Sequence, residues 1–259
     1  MGMTFEDAVA VLTGPDAPFE IAEAEVLGRP SRIFTKIPPA LRDLFDLIRA
    51  RPADDVYLVF EDERWTNADM VKSIDEIATV LVERYGVTKG DRVAINMRNF
   101  PEWITAFGAA TSIGAIAVLV NAWWTGPEIE FGLIDADAKV MITDRERVDR
   151  IGDRLQALNI HGLVVRAEGD LPPGCDHLAD VVTPGATMPI VEIHPDDDAT
   201  ILFTSGTTGV PKGAVSTNRG VISGLFAFAC RTTVEALRWA PDTPPDPSTA
   251  APSIPACFI

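Results

Sequence analysis

The sequence predicts an α/β fold, a parallel sheet covered by helices on both faces. Helix-period and strand-period segments alternate four times between Thr66 and Arg166. The strand segments are apolar almost throughout, as strands buried on both faces must be. A hydrophobic content of 47% against 23% charged residues, in 259 residues, is globular composition with enough chain for a real core.

The first fifty residues are Pro-spiced and mixed, and are read as an N-terminal extension, 1–50, packing on the core. A helix begins after Pro38–Pro39 with Leu41, Leu44, Phe45 and Ile48 on one face. "VYLVFEDERWT" has strand character around a turn at Glu61–Glu63. Thr66 and Asp69 form a capping box, and Met70, Ile74, Ile77 and Leu81 recur at helical spacing until Gly86. "DRVAINM" alternates Val93, Ile95 and Met97 as a strand; Asn99 is expected to cap a helix entered near Pro101; "GAIAVLV" is a buried strand. Thr125 before Pro127 opens a helix to about Asp137, followed by the strand "KVMIT". Asp144 caps one charged helix, "RERVDRIGDRLQAL", and "GLVVRA" is the next strand. "EGDLPPGCDH" and "EIHPDDDA" are read as loops, and Asn218 opens a helix reaching Trp239.

Several function classes are disfavoured. A net charge of −16 is wrong for nucleic acid, whose binding needs clustered Lys and Arg. Cys175, Cys230 and Cys257 are scattered, which suits a reducing, cytoplasmic setting. His161, His177 and His194 lack metal-ligand spacing, so no protein-held metal is expected. The N-terminus has no basic secretory region. Trp103–Pro127 is uncharged, yet Gly108 and Gly114 divide it, so it reads as a buried helix followed by a buried strand. No transmembrane segment is expected. Trp123 and Trp124 read as the closure of a core edge, and Asp196–Asp198 as a solvated acidic linker. Arg98 and Asn99 follow a strand's carboxyl end, where α/β sheets place ligands.

One stretch asks for more than structure: Ile201–Gly213, "ILFTSGTTGVPKG". It lies between two strand-like runs, so the loop is a hairpin connection, and it matches neither a Walker P-loop nor a Rossmann fingerprint. Gly206, Gly209 and Gly213 let consecutive N–H groups turn inward as an anion nest. Thr204, Ser205, Thr207 and Thr208 add hydroxyl donors, and Lys212 adds a point charge behind a stiff Pro211. A plain surface hairpin needs neither so many donors nor the lysine.

"ILFTSGTTGVPKG" resembles the AMP-binding signature of the adenylate-forming superfamily, which holds acyl-CoA synthetases, luciferases and peptide-synthetase adenylation domains. "RWTNADM" and the stretch from Gly90 to Thr143 resemble its upstream segments, so the likeness runs from about Asp43 to Gly224. "MRNFPEWITAFGAATSIGAIAVLVN" is most similar to fatty-acyl-CoA synthetases. The resemblance implies a ligase that uses ATP with Mg2+, activates a fatty or other hydrophobic carboxylic acid as acyl-adenylate, and transfers it to coenzyme A. It implies that Thr204, Ser205, Gly206, Thr207, Thr208, Gly209 and Lys212 hold the β- and γ-phosphates. A non-catalytic nucleotide-binding fragment and a peptide-synthetase adenylation domain are the alternatives.

The likeness is to an N-terminal portion: residues 51–239 correspond to a partial AMP-binding domain. Segments that the family uses for adenine, ribose and the C-terminal lid are not found. This stretch alone is therefore expected to be inactive. The Pro-rich residues 240–259 are expected to be poorly ordered, with "PSIPACFI" standing where the family has part of its carboxylate pocket.

Overall fold

A computed structural model describes residues 3–204 and 211–239. They fall into two compact units: Ala40–Asn218, and residues up to Pro39 together with those from Arg219 onward. The expected order of residues 240–259 lies outside the described residues.

The smaller unit opens with α1 (Phe5–Thr13), where the Thr4 hydroxyl accepts the Asp7 N–H at 3.1 Å. Strands β1 (Ile21–Val26) and β2 (Arg29–Phe34) pair antiparallel across a two-residue turn, Leu27–Gly28, both at positive φ.

The larger unit begins with α2 (Leu41–Arg49) and the hairpin β3 (Val56–Phe60)–β4 (Glu63–Thr66). The anticipated capping box starts α3 (Asn67–Glu83): Asp69 donates its N–H to the Thr66 hydroxyl, and Thr66 donates its N–H to the Asp69 carboxylate at 2.9 Å. There follow β5 (Arg92–Asn96), α4 (Pro101–Ser112), β6 (Ile116–Leu119), α5 (Gly126–Asp135) and β7 (Ala138–Asp144). Next come α6 (Arg145–Ile151), α7 (Arg154–Ala157), β8 (His161–Val165), β9 (Cys175–His177) and α8 (Leu178–Val181). Strands β10 (Asp198–Thr204) and β11 (Lys212–Thr217) close the unit.

Seven strands make one sheet in the order β11-β10-β6-β5-β7-β8-β9. Every neighbouring pair is parallel except β10 and β11. The alternation in β5 separates two cores rather than core from solvent. Val93 and Ile95 pack with Ile77, Leu81 and Ala109 of α3 and α4. Ala94 packs with Ile129, Leu133 and Val148 of α5 and α6. Burial on both faces is what the continuous apolar runs require, at roughly 1.5–3 kcal/mol for each large side chain.

Three expectations need correction. The charged helix after Asp144 is broken: Gly152 takes φ +58°, ending α6, and α7 restarts at Arg154. "EGDLPPGCDH" is not all loop, because β9 adds an edge strand. It fits there because Gly162 of β8 has no side chain; a Cβ at Gly162 would stand 2.5 Å from Cys175 Sγ. Asn99 does not cap α4. The N-cap is Phe100, without a side-chain bond, and Pro101 supplies a helical φ in the first turn.

The final helix, α9 (Asn218–Trp239), begins at the end of the larger unit. Asn218 accepts the Leu41 N–H on Oδ1 and donates Nδ2 to the Asp197 carbonyl. Beyond it, Ile222, Phe226, Cys230 and Val234 form a buried stripe, and the Phe226 ring meets Phe19 and Phe34. Trp103–Pro127 does form the anticipated buried helix and strand, α4 and β6. Among the described residues, α9 is instead the helix long and apolar enough to cross a membrane, by length and composition only.

Candidate functional site at the carboxyl edge of the sheet

From β5 the chain crosses to β6 on one side, and from β6 it returns past β5 to β7 on the other. The direction of winding therefore switches between β5 and β7, where helices diverge and leave a crevice beyond the strand ends. That crevice, about 720 Å³, is lined in part by Phe60, Arg98, Trp123, Asp144, Arg147 and Arg166.

Its floor is a buried ion pair. Arg147, 1% exposed, contacts the Asp144 carboxylate at 3.2 Å through Nη1 and donates Nε to the Ala122 carbonyl. Asp144 also caps α6 by accepting the Arg147 N–H, and it accepts the Arg98 N–H at 3.0 Å. One carboxylate thus joins the ends of β5 and β7. Arg98 then lies over the Trp123 ring at 4.8 Å. Here the reading of the tryptophan pair is half corrected. Trp124 turns inward against Phe203, whereas Trp123 is 69% exposed on the crevice rim. Asp197 of the acidic run is likewise no mere linker: it pairs with Lys89 at 2.6 Å and accepts the His194 N–H.

At β8's end, Arg166 has φ +50° and lies over Phe60 and Phe100 at 5.1 and 5.0 Å. Its guanidinium grips Glu63 and Glu102 together. Arg166 and the Trp65 indole N–H hold the Glu63 carboxyl down to about 2, well below its ordinary 4.5. Sequence reasoning missed this clamp, since its members lie 103 and 64 positions apart and share no local pattern.

Thr204 and Lys212, two residues of the predicted phosphate grip, lie along the same sheet edge. β10 and β11 form the antiparallel hairpin expected from the sequence, with Phe203 opposite Gly213 and Thr204 opposite Lys212. Thr204 and Lys212 are therefore brought together at the end of the stem, with the Thr204 hydroxyl donating to the Lys212 carbonyl at 3.3 Å. Both are exposed, and the Lys212 ammonium makes no ion pair among the described residues. Ser205, Gly206, Thr207, Thr208 and Gly209 lie outside the described residues. No group of three or more His, Cys, Asp or Glu side chains suited to a metal occurs among the described residues.

A hairpin presenting an exposed lysine at the edge of a doubly covered sheet leads to the comparison with known proteins. The family described as AMP-binding enzyme matches residues 45–247. The chain belongs to the AMP-binding enzyme family. A long-chain-fatty-acid–CoA ligase of Mycobacterium tuberculosis is 36% identical over 175 residues, covering 65% of this chain and 32% of that protein. A 4-coumarate–CoA ligase of Oryza sativa is 33% identical over 160 residues, 57% of this chain and 28% of that one. Among solved structures, the anthranilate CoA ligase AuaEII in complex with anthranoyl-AMP superposes with TM-score 0.64 at 26% identity, over 71% of this chain and 36% of that one. For a putative long-chain-fatty-acid CoA ligase from Rhodopseudomonas palustris the TM-score is 0.63 at 27% identity, over 76% and 48%. This AMP-binding chain thus spans about a third of the length of those two curated relatives.

Proposed function

We propose that this chain is the phosphate-gripping part of an ATP-dependent acid–CoA ligase. In the reaction a carboxylate oxygen attacks the α-phosphorus of ATP, forming acyl-adenylate and releasing pyrophosphate. The thiolate of coenzyme A then attacks the acyl carbon, forming the thioester and releasing AMP. Thr204, Ser205, Gly206, Thr207, Thr208, Gly209 and Lys212 would hold the β- and γ-phosphates, with Mg2+ arriving on the nucleotide. Their work is positioning and charge neutralisation, which needs no acid or base.

The carrying observation is the exposed Lys212 ammonium, opposite Thr204 at the stem of a loop rich in glycine and hydroxyls. An ammonium without a carboxylate partner is ready for an anion, and its bonds to phosphate strengthen as water leaves. The acids after which the relatives are named, a long-chain fatty acid and 4-coumarate, support an acid with a large apolar part.

The test is a titration of the 259-residue chain with Mg·ATP, beside Lys212→Ala. Loss of one charge-assisted contact should weaken binding about tenfold or more. Equal affinities would remove the grip from the hairpin. Fatty-acid-dependent ATP–pyrophosphate exchange should be absent from this stretch alone, because positioning catalysis needs the whole cage. Robust exchange would overturn that expectation.

A further inference from the structure

The parallel pairing of β10 with β6 runs from Thr200 to Leu202, where Leu202 meets Leu119. Phe203 and Thr204 lie beyond it, as do their partners Gly213 and Lys212. The end of the stem therefore projects past the sheet, held by its own cross-strand pairs and by whatever its side chains touch. Phe203 is the last residue before Thr204, and its ring packs against Trp124 with centroids 5.2 Å apart and planes at 57°.

One glycine makes room for that contact. A Cβ on Gly132 of α5 would stand 2.7 Å from Trp124 Cζ3 and 3.5 Å from Phe203 Cε2. Trp124 is fixed in turn. Its N–H donates to the Asn121 carbonyl at 3.1 Å, and its own carbonyl accepts Arg150 Nη1 at 2.9 Å. Arg147 and Arg150 both donate to the neighbouring Ala122 carbonyl. A continuous chain of contacts thus runs from the arginines of α6, through the loop after β6, to the end of the stem.

We infer that Trp124 is a positioning residue that, through Phe203 and the space left by Gly132, sets where the hairpin presents Lys212. This rests on the reading of the hairpin as a phosphate grip. It assigns the aim of that grip to residues outside the hairpin. Sequence gave Trp124 no such role, because only folding brings residue 124 beside residue 203.

The experiment is amide hydrogen exchange on the 259-residue chain and its Gly132→Ala variant, read with Mg·ATP affinity. The new methyl must displace the indole, since a ring edge at 2.7 Å cannot stay where it is. Amides of Phe203, Thr204, Lys212 and Gly213 should exchange about tenfold faster, and those of Val93–Ile95 and Val140–Ile142 should not change. Adding Trp124→Phe to Gly132→Ala should return the exchange and the lost affinity toward the original. Unchanged exchange at the stem overturns the inference, as does acceleration spread evenly over the sheet or failure of Trp124→Phe to restore it. Exchange does not depend on ligand, so the two failures stay separate. If Lys212→Ala leaves Mg·ATP affinity intact, the phosphate reading fails while exchange still judges the contact.

Discussion

The middle of the sheet and the β10–β11 hairpin are built on opposite terms. In β5 every residue from Val93 to Asn96 is buried, with Val93 and Ile95 in one core and Ala94 in the other. In the hairpin Leu202 and Val215 are 53% and 54% exposed, and Lys212 to Val215 all face solvent. Removal of apolar surface from water accounts for the first region. It cannot account for the second, where glycines, hydroxyls and a lysine contribute nothing to a core. The buried framework and the exposed, proposed phosphate grip are therefore separated in space, and they meet at Phe203, packed inward one residue before Thr204.

The largest expected effect lies where the buried region reaches the crevice. Asp144→Ala would leave the Arg147 guanidinium without its one buried carboxylate, with only the largely exposed Glu146 carboxylate at 2.8 Å, while also removing the α6 cap and the tie to the Arg98 N–H. Breaking one side of a buried pair costs about 3–5 kcal/mol. Urea unfolding should show a loss of that order. A loss near that of an exposed ion pair would mean the crevice floor is no part of the buried framework.

That framework was legible wherever its signal is local or periodic. The Thr66–Asp69 box, the Thr125 start of α5 and the Asp144 cap are all decided within four residues of chain. The parallel sheet followed from apolar runs that only burial on two faces explains. What escaped is what tertiary structure decides. Trp123 and Trp124 are adjacent and identical in type, yet one stacks on Arg98 and the other packs on Phe203. β9 is three polar-leaning residues whose pairing depends on a missing side chain at Gly162. At the candidate site, the sequence places Thr204 and Lys212 on either side of one hairpin loop, and the ladder makes them direct cross-strand partners.

Lys212 gives the complementary test on the exposed side. Its substitution by alanine removes no buried contact, so stability should change by no more than about 0.5 kcal/mol while Mg·ATP affinity falls. Thermal unfolding without ligand, set beside the titration, checks both halves. A marked drop in melting temperature would show that the hairpin lysine serves the fold, which would erase the contrast between the two regions.

The smallest expected effect concerns Glu63, which belongs wholly to neither region. Its carboxyl is held at about 2 against an ordinary 4.5, first by its bond to Arg166 and then by the Trp65 indole. A depressed carboxyl pKa stabilises the fold above the unfolded value, and that contribution is lost as pH falls from about 4.5 through about 2. The side chain is 40% exposed, so solvent screening limits the effect to about 1 kcal/mol or less. Glu63→Gln should consequently lose less stability than the parent chain over that acid range, because the other carboxylates titrate alike in both. Urea midpoints across the range, repeated at high salt, provide the measurement. Parallel curves for the two proteins would mean that Arg166 is held by Glu102 and the two phenylalanine rings alone, and that the hairpin of β3 and β4 is not tied to the sheet edge through charge.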